Sequence, residues 1–263
     1  MIADPSPRRR STIGVWDVPV ALVAPKRVFA RVEDVGAYGW TLVWLLTAVT
    51  LLGFALIETG LVDREVDRDV QVRIAELEKT QADIVERSAL SKLIEDAKQE
   101  GEFDRLMTRV AVIGANPLLT LATVLLIPAA LYGFVALTGR KPEWHTLVTI
   151  CVFASFADVL GELTRLVLML RHQTLDVYTS LALLTQSGDF GSNLHGPAAV
   201  AVPAMLSSFD PFRVWFWLLM AVGLTTTSQL RGWKAWATCF GFWLIAAMVR
   251  TGVAVAAAGG PST

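Results

Sequence analysis

Three ionisable residues interrupt the apolar segment TLVTICVFASFADVLGELTRLVLML. Asp158, Glu162 and Arg165 are separated by four and three positions, the spacing at which side chains share one face of an α-helix. A lone charge at mid-bilayer costs about 2.5 kcal/mol or several times more, so such groups face protein or water and find partners. Two chemistries are open to this triplet: a proton or ion relay along a polar pathway, and a salt-bridge network that fixes helix register.

Candidate partners for the triplet lie in or beside the neighbouring apolar segments. Glu58 ends the first apolar segment, Arg109 precedes the second, and Arg250 lies within the last. With the triplet they give three acids and three bases at similar predicted depth. Transport sites usually keep a surplus charge to bind their substrate, so this balance favours the structural network over the relay.

Catalytic signatures are missing from the sequence. The three histidines, His145, His172 and His195, form no HExxH pair, and neither a GxSxG elbow nor a GxxxxGK[ST] phosphate loop occurs. Both cysteines, Cys151 and Cys239, fall in apolar segments typical of buried hydrophobic positions. We therefore expect no enzyme activity, no metal or other cofactor, and no directly bound nucleotide. The net charge of −1 gives no reason to expect nucleic acid.

The elements that position these charges are apolar helices. Apolar residues make up 54% of the chain and charged residues 18%, and the charges cluster between apolar stretches. Each stretch has about 20 residues, which is the length that crosses about 30 Å of hydrocarbon. The predicted fold is an all-α polytopic membrane protein in contact with the lipid bilayer. Its five predicted spans are residues 39–60, 117–137 (after an Asn116-Pro117 helix start), 145–170, 212–228 and 235–258.

A charged block separates the first two spans. Its apolar residues recur at three- and four-residue steps, which predicts an amphipathic helical hairpin. Ser88 and Ser91 can cap a second helix there, and Gly101 can break it. The predicted organisation is 1–36, a cytoplasmic N-terminus with an interfacial amphipathic segment; 37–61, the first transmembrane helix; 62–109, an external helical hairpin; and 110–263, four further transmembrane helices with an external loop at 171–210.

The N-terminal segment 15–31 is too interrupted by Asp17 and Pro19 to be a signal sequence. It is typical of an amphipathic segment that lies in the membrane interface. The residues expected on its membrane side are Val15, Trp16, Val20, Leu22, Val23, Val28 and Phe29.

Lysine and arginine in the short loops predict the orientation. With the N-terminus in the cytoplasm, the basic residues near the span ends fall inside, among them Lys26, Arg27, Arg140, Lys141 and Lys234. The 171–210 loop and the C-terminus then lie outside. The predicted topology is N-in and C-out in the bacterial inner membrane.

The two terminal segments resemble one known family. VALVAPKRVFARV is similar to the "sPrrvFerl" entry of the Yip family, whose eukaryotic members interact with Ypt/Rab GTPases. SFDPFRVWFWLLMAVGLTTTSQLRGWKAWATCFGFWLI is similar to its closing pair of helices, "lDlFriWslvLlaiGlsvltklskkkAl". The matching positions are Asp210, Phe212, Trp215, Leu218, Gly223, Leu224 and Ala235. The third span has FASFAD where the family usually has "aysslP".

The resemblance implies a non-catalytic, multi-pass protein of bacterial type. Bacterial relatives are often accessory partners of ATP-driven exporters and their periplasmic adaptors. The implied function is therefore an integral membrane scaffold or accessory subunit, with other membrane or periplasmic subunits as partners and an exporter assembly as the complex. The alternative is a small transporter or channel that uses Asp158, Glu162 and Arg165.

Overall fold

The computed structural model describes residues 13–34, 36–81, 87–175, 177, 179–183, 197–230 and 232–258. These residues form helices and short connections and contain no strand, so the predicted all-α class is confirmed. In chain order the elements are a 3₁₀ turn Val15–Asp17, α1 Val18–Val23, α2 Pro25–Phe29, α3 Gly39–Glu58, α4 Leu61–Gln81, α5 Arg87–Val110, a π turn Ala111–Ala115, α6 Asn116–Leu137, α7 Trp144–His172, α8 Pro197–Leu206, α9 Pro211–Thr226 and α10 Trp233–Ala258.

Within the described residues, four helical segments are long and apolar enough to cross a membrane. They are Gly39–Glu58, Ala89–Leu137, Trp144–His172 and Trp233–Ala256. The apolar helix α9 has 16 residues, which corresponds to about 24 Å at 1.5 Å per residue. The chain is therefore a multi-pass, all-helical membrane protein.

Helix α7 is the central helix of the bundle, with α3, α6 and α9 packed against it. Nearly every residue in its first half is buried. Helix α9 runs antiparallel to it, because Gly223 lies against Ile150 while Gly161 lies against Phe212. A Cβ atom on Gly223 would come within 2.4 Å of the Ile150 Cγ2, so only glycine permits this close approach. The pairing of small and large residues fixes the register of the two helices.

Helices α4 and α5 form an antiparallel pair at one end of the bundle, hereafter the hairpin end. The prediction that Gly101 breaks the second helix is wrong, because α5 continues through it. Gly101 instead allows close packing against α4. A Cβ atom at position 101 would come within 2.3 Å of the Val70 Cγ2 atom. The residues between the two helices, 82–86, lie outside the described part. Among the described residues, the ion pairs joining α4 to α5 are Asp63–Arg105, Asp63–Arg109, Asp67–Arg105 and Arg73–Glu100.

Helices α5 and α6 are one continuous helix joined by the π turn. The predicted helix start with Asn116 as N-cap is wrong, because Asn116 has helical dihedral angles of φ −61° and ψ −48°, and no side chain caps α6. Pro117 has no N–H and therefore cannot make the regular helical bond to the residue four positions earlier. A π turn absorbs such a change of bonding pattern without ending the helix. Gly53 of α3 packs directly against Val112 in this turn.

The N-terminal segment packs partly on the bundle. Trp16 and Val23 are exposed, as a membrane-facing position requires, but Val28 and Phe29 are fully buried in the protein core. The predicted membrane-side placement of these two residues is therefore wrong. The reason is a break at Ala24, with φ −131° and ψ 61°, which turns α2 away from the direction of α1 and under α9.

The predicted loop at 171–210 is described only in part. Residues 176, 178 and 184–196 lie outside the described part of the chain. The apolar residues Pro197–Leu206 of this segment form α8, which packs on α10.

Candidate functional site

The charged triplet on α7 lies where the buried half of that helix ends. Ala157 is the last fully buried residue of α7, and Asp158 follows it. Asp158, Glu162 and Arg165 occupy successive turns, and their side chains are 29%, 58% and 38% exposed. The triplet is therefore a row of charges along an open face of α7.

Asp158 is paired with an arginine that the sequence analysis did not select. The Arg213 Nη1 atom on α9 donates a hydrogen bond to the Asp158 Oδ2 atom across 3.0 Å. Arg213 stands two positions after the Asp210-Pro211 helix start, and its presence in an otherwise apolar helix is the signal that could have identified it. This ion pair joins α7 to α9.

Glu162 and Arg165 are paired within α7, with 3.2 Å between Arg165 Nη1 and Glu162 Oε1. The Arg165 Nε atom is buried and has no hydrogen-bond partner. A buried donor without an acceptor is costly. The Arg165 Nε–H group can therefore donate a hydrogen bond to a further group.

The other three residues of the predicted network have separate positions. Arg109 at the end of α5 pairs with Asp63 of α4, with 2.8 Å between Nη2 and Oδ2. Glu58 is exposed at the end of α3. Arg250 is exposed on α10, within electrostatic range of Asp158 and Arg213. Among the six residues the structure pairs Glu162 with Arg165, whereas Asp158 and Arg109 pair with Arg213 and Asp63, which were not in the predicted set.

A crevice of about 230 Å³ lies beside the Asp158–Arg213 pair. The start of α6 forms one wall with Asn116 and Thr120, the start of α9 contributes Arg213, and α7 lies between them with Asp158 and Glu162. The crevice continues toward Arg165 through a second, smaller depression of about 70 Å³ that also contains Asn116 and Glu162. Acidic, basic and amide groups thus converge on one space.

Hydroxyl groups of the crevice are held by their own helices. Thr120 and Thr123 donate to the carbonyl oxygens of Asn116 and Leu119, at 2.9 and 2.8 Å. Ser155 on α7 donates to the Cys151 carbonyl oxygen at 2.8 Å. Each hydroxyl has its hydrogen engaged and retains acceptor capacity. The crevice is therefore rich in acceptors, with the arginines as its charged donors.

The crevice lies near the hairpin end of the bundle. Helix α6 has 22 residues and is about 33 Å long, close to the thickness of a hydrocarbon core. Residues 116–123 lie in the half of α6 that is nearer the hairpin, and the apolar residues 110–115 continue the same helix beyond them. Arg213 lies in the first turn of α9, so the crevice is level with the beginning of that helix and with the middle of α7.

The family-motif positions of α9 have identifiable structural roles. The Asp210 side chain accepts a hydrogen bond from the Phe212 N–H at 2.8 Å and caps the helix, and it also accepts one from Thr179. Phe212 packs on Gly161, and Gly223 packs on Ile150. Trp215 is 47% exposed on the outer face.

A second polar cluster holds the opposite end of the bundle, where α6 and α7 connect. The Asp34 Oδ1 atom accepts hydrogen bonds from the backbone N–H groups of His145 and Thr146 at 2.9 and 3.3 Å. Arg140 donates to the carbonyl oxygens of Ser228 and Gln229 at 2.8 and 3.3 Å. These bonds tie the segment before α3 and the end of α9 to the start of α7.

Helices of membrane-spanning length, a central packed helix and paired charges beside an open crevice define a polytopic helical membrane protein. The chain belongs to the Yip family: the Yip1 domain model matches residues 20–253. The resemblance predicted from the two terminal segments is confirmed, and both segments lie inside the match. No curated protein and no solved structure gives a significant match.

Proposed function

We propose that the protein is a non-catalytic scaffold or accessory subunit of a membrane complex, with an ATP-driven exporter assembly in the bacterial inner membrane as the leading candidate. The observation that carries the proposal is the continuous helix Ala89–Leu137, 49 residues long. It connects the hairpin directly to the membrane bundle. Because no flexible linker intervenes between α5 and α6, a partner bound to the hairpin is held in a defined position relative to the bundle.

The outer surface of α5 supports contact with another protein. Phe103, Leu106 and Met107 are 58%, 56% and 45% exposed, at helical spacing on one face. The opposite face is occupied by α4, against which Gly101 packs. Exposed apolar patches of this kind mark interaction sites.

We propose five spans with the N-terminus in the cytoplasm and the hairpin outside. The antiparallel packing of α9 along α7 supports α9 as a crossing helix, the fourth in chain order, despite its 16 residues. Single-cysteine variants in a Cys151→Ala/Cys239→Ala background provide the test. A membrane-impermeant thiol reagent should label Glu76→Cys from the outside of intact cells. Lys141→Cys should be labelled only after the cells are opened, and the reverse pattern would refute the orientation.

The scaffold role is tested by site-specific photo-crosslinking in cells. A crosslinking amino acid at Leu106 should capture a defined membrane or periplasmic protein, which should also co-purify with the chain in mild detergent at a fixed ratio. The matched control is the same amino acid at Lys98, which is exposed on the same helix. Purification of the chain alone, with no adduct at Leu106, would contradict the proposal.

A second candidate function is a small transporter or channel that uses Asp158, Glu162 and Arg165. The crevice beside these residues favours it, because an intramembrane space with ionisable walls is the usual setting of a transport site. The protein alone, reconstituted in liposomes, would then conduct protons or ions, and Asp158→Asn would abolish the flux. Liposomes that stay tight with the wild-type protein would eliminate this candidate.

A further inference from the structure

The crevice exposes charged side chains at a depth where lipid surrounds the protein. Glu162 is 58% exposed and Arg165 is 38% exposed, and both border the crevice system. Charged groups open to hydrocarbon are costly, so they must be covered by water, by a polar ligand or by protein. The neighbouring surface of α6 is apolar, with Leu119 and Leu126 two turns apart and 64% and 68% exposed.

The charges of the crevice specify what covers it. Its walls combine the carboxylates of Asp158 and Glu162 with the guanidinium groups of Arg165 and Arg213. A bound cation would face the like charge of the guanidinium groups, and a bound anion would face the like charge of the carboxylates. A zwitterion with an ammonium group and a phosphate satisfies both, because ammonium N–H groups donate to carboxylates and phosphate oxygens accept from guanidinium groups.

The size and position of the crevice also favour a small zwitterionic group as its ligand. A space of about 230 Å³ is too small to admit a partner helix, whose diameter with side chains is about 10–12 Å. It lies in the half of the bundle nearer the hairpin, beside the first turn of α9. The exposed leucines of α6 continue from it toward the other end of that helix. A headgroup in the crevice would place its acyl chains along Leu119 and Leu126.

We propose that this crevice binds the headgroup of a zwitterionic aminophospholipid, with Asp158 and Glu162 on the ammonium and Arg165 and Arg213 on the phosphate. The bound lipid belongs to the leaflet at the hairpin end of the bundle. Its binding covers the row of charges on α7. The proposal is independent of the accessory role, since it concerns the bundle and not the hairpin surface.

Native mass spectrometry of the full chain in mild detergent tests the proposal. The probes are phosphatidylethanolamine, phosphatidylcholine and phosphatidylglycerol with identical acyl chains. Phosphatidylcholine keeps the charges but its quaternary ammonium donates no N–H bond, and phosphatidylglycerol lacks the ammonium. We expect phosphatidylethanolamine to bind about tenfold more tightly than either, the equivalent of one or two charge-assisted hydrogen bonds. Equal retention of the three lipids would overturn the proposal.

Variants test whether the crevice residues bind the headgroup, and a soluble competitor tests whether the ligand is a lipid. Glu162→Gln should remove most of the tenfold preference, because Glu162 binds the ammonium group. Arg165→Gln should weaken the retention of all three lipids, because each of them carries the phosphate. Glu102→Gln on the hairpin, matched in chemistry to Glu162→Gln, should change neither the preference nor the retention. Unaltered melting of the variants shows that the fold is intact. An unchanged preference in Glu162→Gln, or unchanged retention of the three lipids in Arg165→Gln, would overturn the proposal. So would displacement of the lipid by an equal concentration of soluble glycerophosphoethanolamine, because the ligand would then not be a lipid.

Discussion

The Arg213 guanidinium on α9 lies 3.0 Å from the Asp158 carboxylate on α7, and this ion pair joins two helices whose register is set by glycines. Gly161, one turn from Asp158, receives the side chain of Phe212, which is the neighbour of Arg213. The apolar contact between Gly161 and Phe212 therefore positions the Asp158–Arg213 ion pair. Neither residue of the pair is more than 36% exposed.

Removing one charge of this pair should destabilise the protein. Arg213→Leu leaves the Asp158 carboxylate without its partner, which costs about 3–5 kcal/mol for a fully buried pair. Because both side chains are about one-third exposed, solvent screening reduces the expected loss to about 1–2 kcal/mol. Thermal unfolding in detergent measures it.

The double variant Asp158→Leu/Arg213→Leu is the matched control for that experiment. Replacing both charges by apolar groups removes the unpaired carboxylate, so its stability should return close to that of the wild-type protein. Equal destabilisation in the single and double variants would show that packing, and not the ion pair, is what Arg213 contributes.

Gly223 should not tolerate a methyl group. In Gly223→Ala the new Cβ would meet the Ile150 Cγ2 at 2.4 Å, and overpacking of this kind costs about 1–3 kcal/mol. Ile150→Val keeps the Cγ2 methyl group, whereas Ile150→Ala removes it at its own cost in stability. Gly223→Ala should therefore lower the melting temperature further in an Ile150→Val background but not in an Ile150→Ala background. Gly133→Ala on α6 is the control, because a Cβ at Gly133 has no neighbour within 4 Å. If Gly223→Ala melted like Gly133→Ala, the close contact of α7 and α9 would be refuted.

The helical class and the family could be predicted from the sequence because they depend on local patterns. Apolar length predicts the long helices, and the positions around Asp210 and Gly223 carry the family resemblance. The spacing of Glu162 and Arg165 predicted a contact within one turn, and their side chains are 3.2 Å apart. Such features need no knowledge of which helices are neighbours.

The remaining features could not be predicted because they depend on contacts between distant segments. Arg213 becomes a partner of Asp158 only through the register of α9 against α7. The local sequence predicts that Gly101 breaks the helix, but the glycine is needed for the contact with Val70 in the antiparallel packing of α4 and α5. Pro117 is read locally as a helix start, whereas a π turn continues the helix. In each case tertiary packing overrides a local preference.

Asp34 should stabilise the first turn of α7 from outside that helix. Its carboxylate accepts from the N–H groups of His145 and Thr146, which have no intrahelical acceptor at a helix start. Asp34→Ala should cost about 1 kcal/mol, as the loss of an N-cap does, and Asp34→Asn should retain most of it. Hydrogen exchange checks the effect: only the alanine variant should exchange faster at His145 and Thr146. Uniform acceleration along α7 would instead indicate a global loss of stability.

The N-terminal segment should lose part of its attachment in acid because of Asp17. Burial raises the pKa of Asp17, but the hydrogen bond from the Gly14 N–H and the hydrogen bond and positive charge of Arg31 outweigh it, and the pKa lies below its ordinary value of 3.8. A carboxyl group with a lowered pKa in the folded state stabilises that state above its unfolded pKa, and loses the contribution as the pH falls through the folded value.

The stability difference between the wild-type protein and Asp17→Asn should therefore depend on pH. It should be constant between pH 7 and about 5 and should shrink below pH 3.8, because protonation makes the wild-type side chain uncharged like asparagine. Melting in detergent at each pH measures the difference, and Arg31→Gln should reduce its pH dependence, since Arg31 supplies a hydrogen bond and the opposing charge that lower the pKa. A difference that stays constant to pH 2 would contradict a lowered pKa of Asp17 in the folded protein.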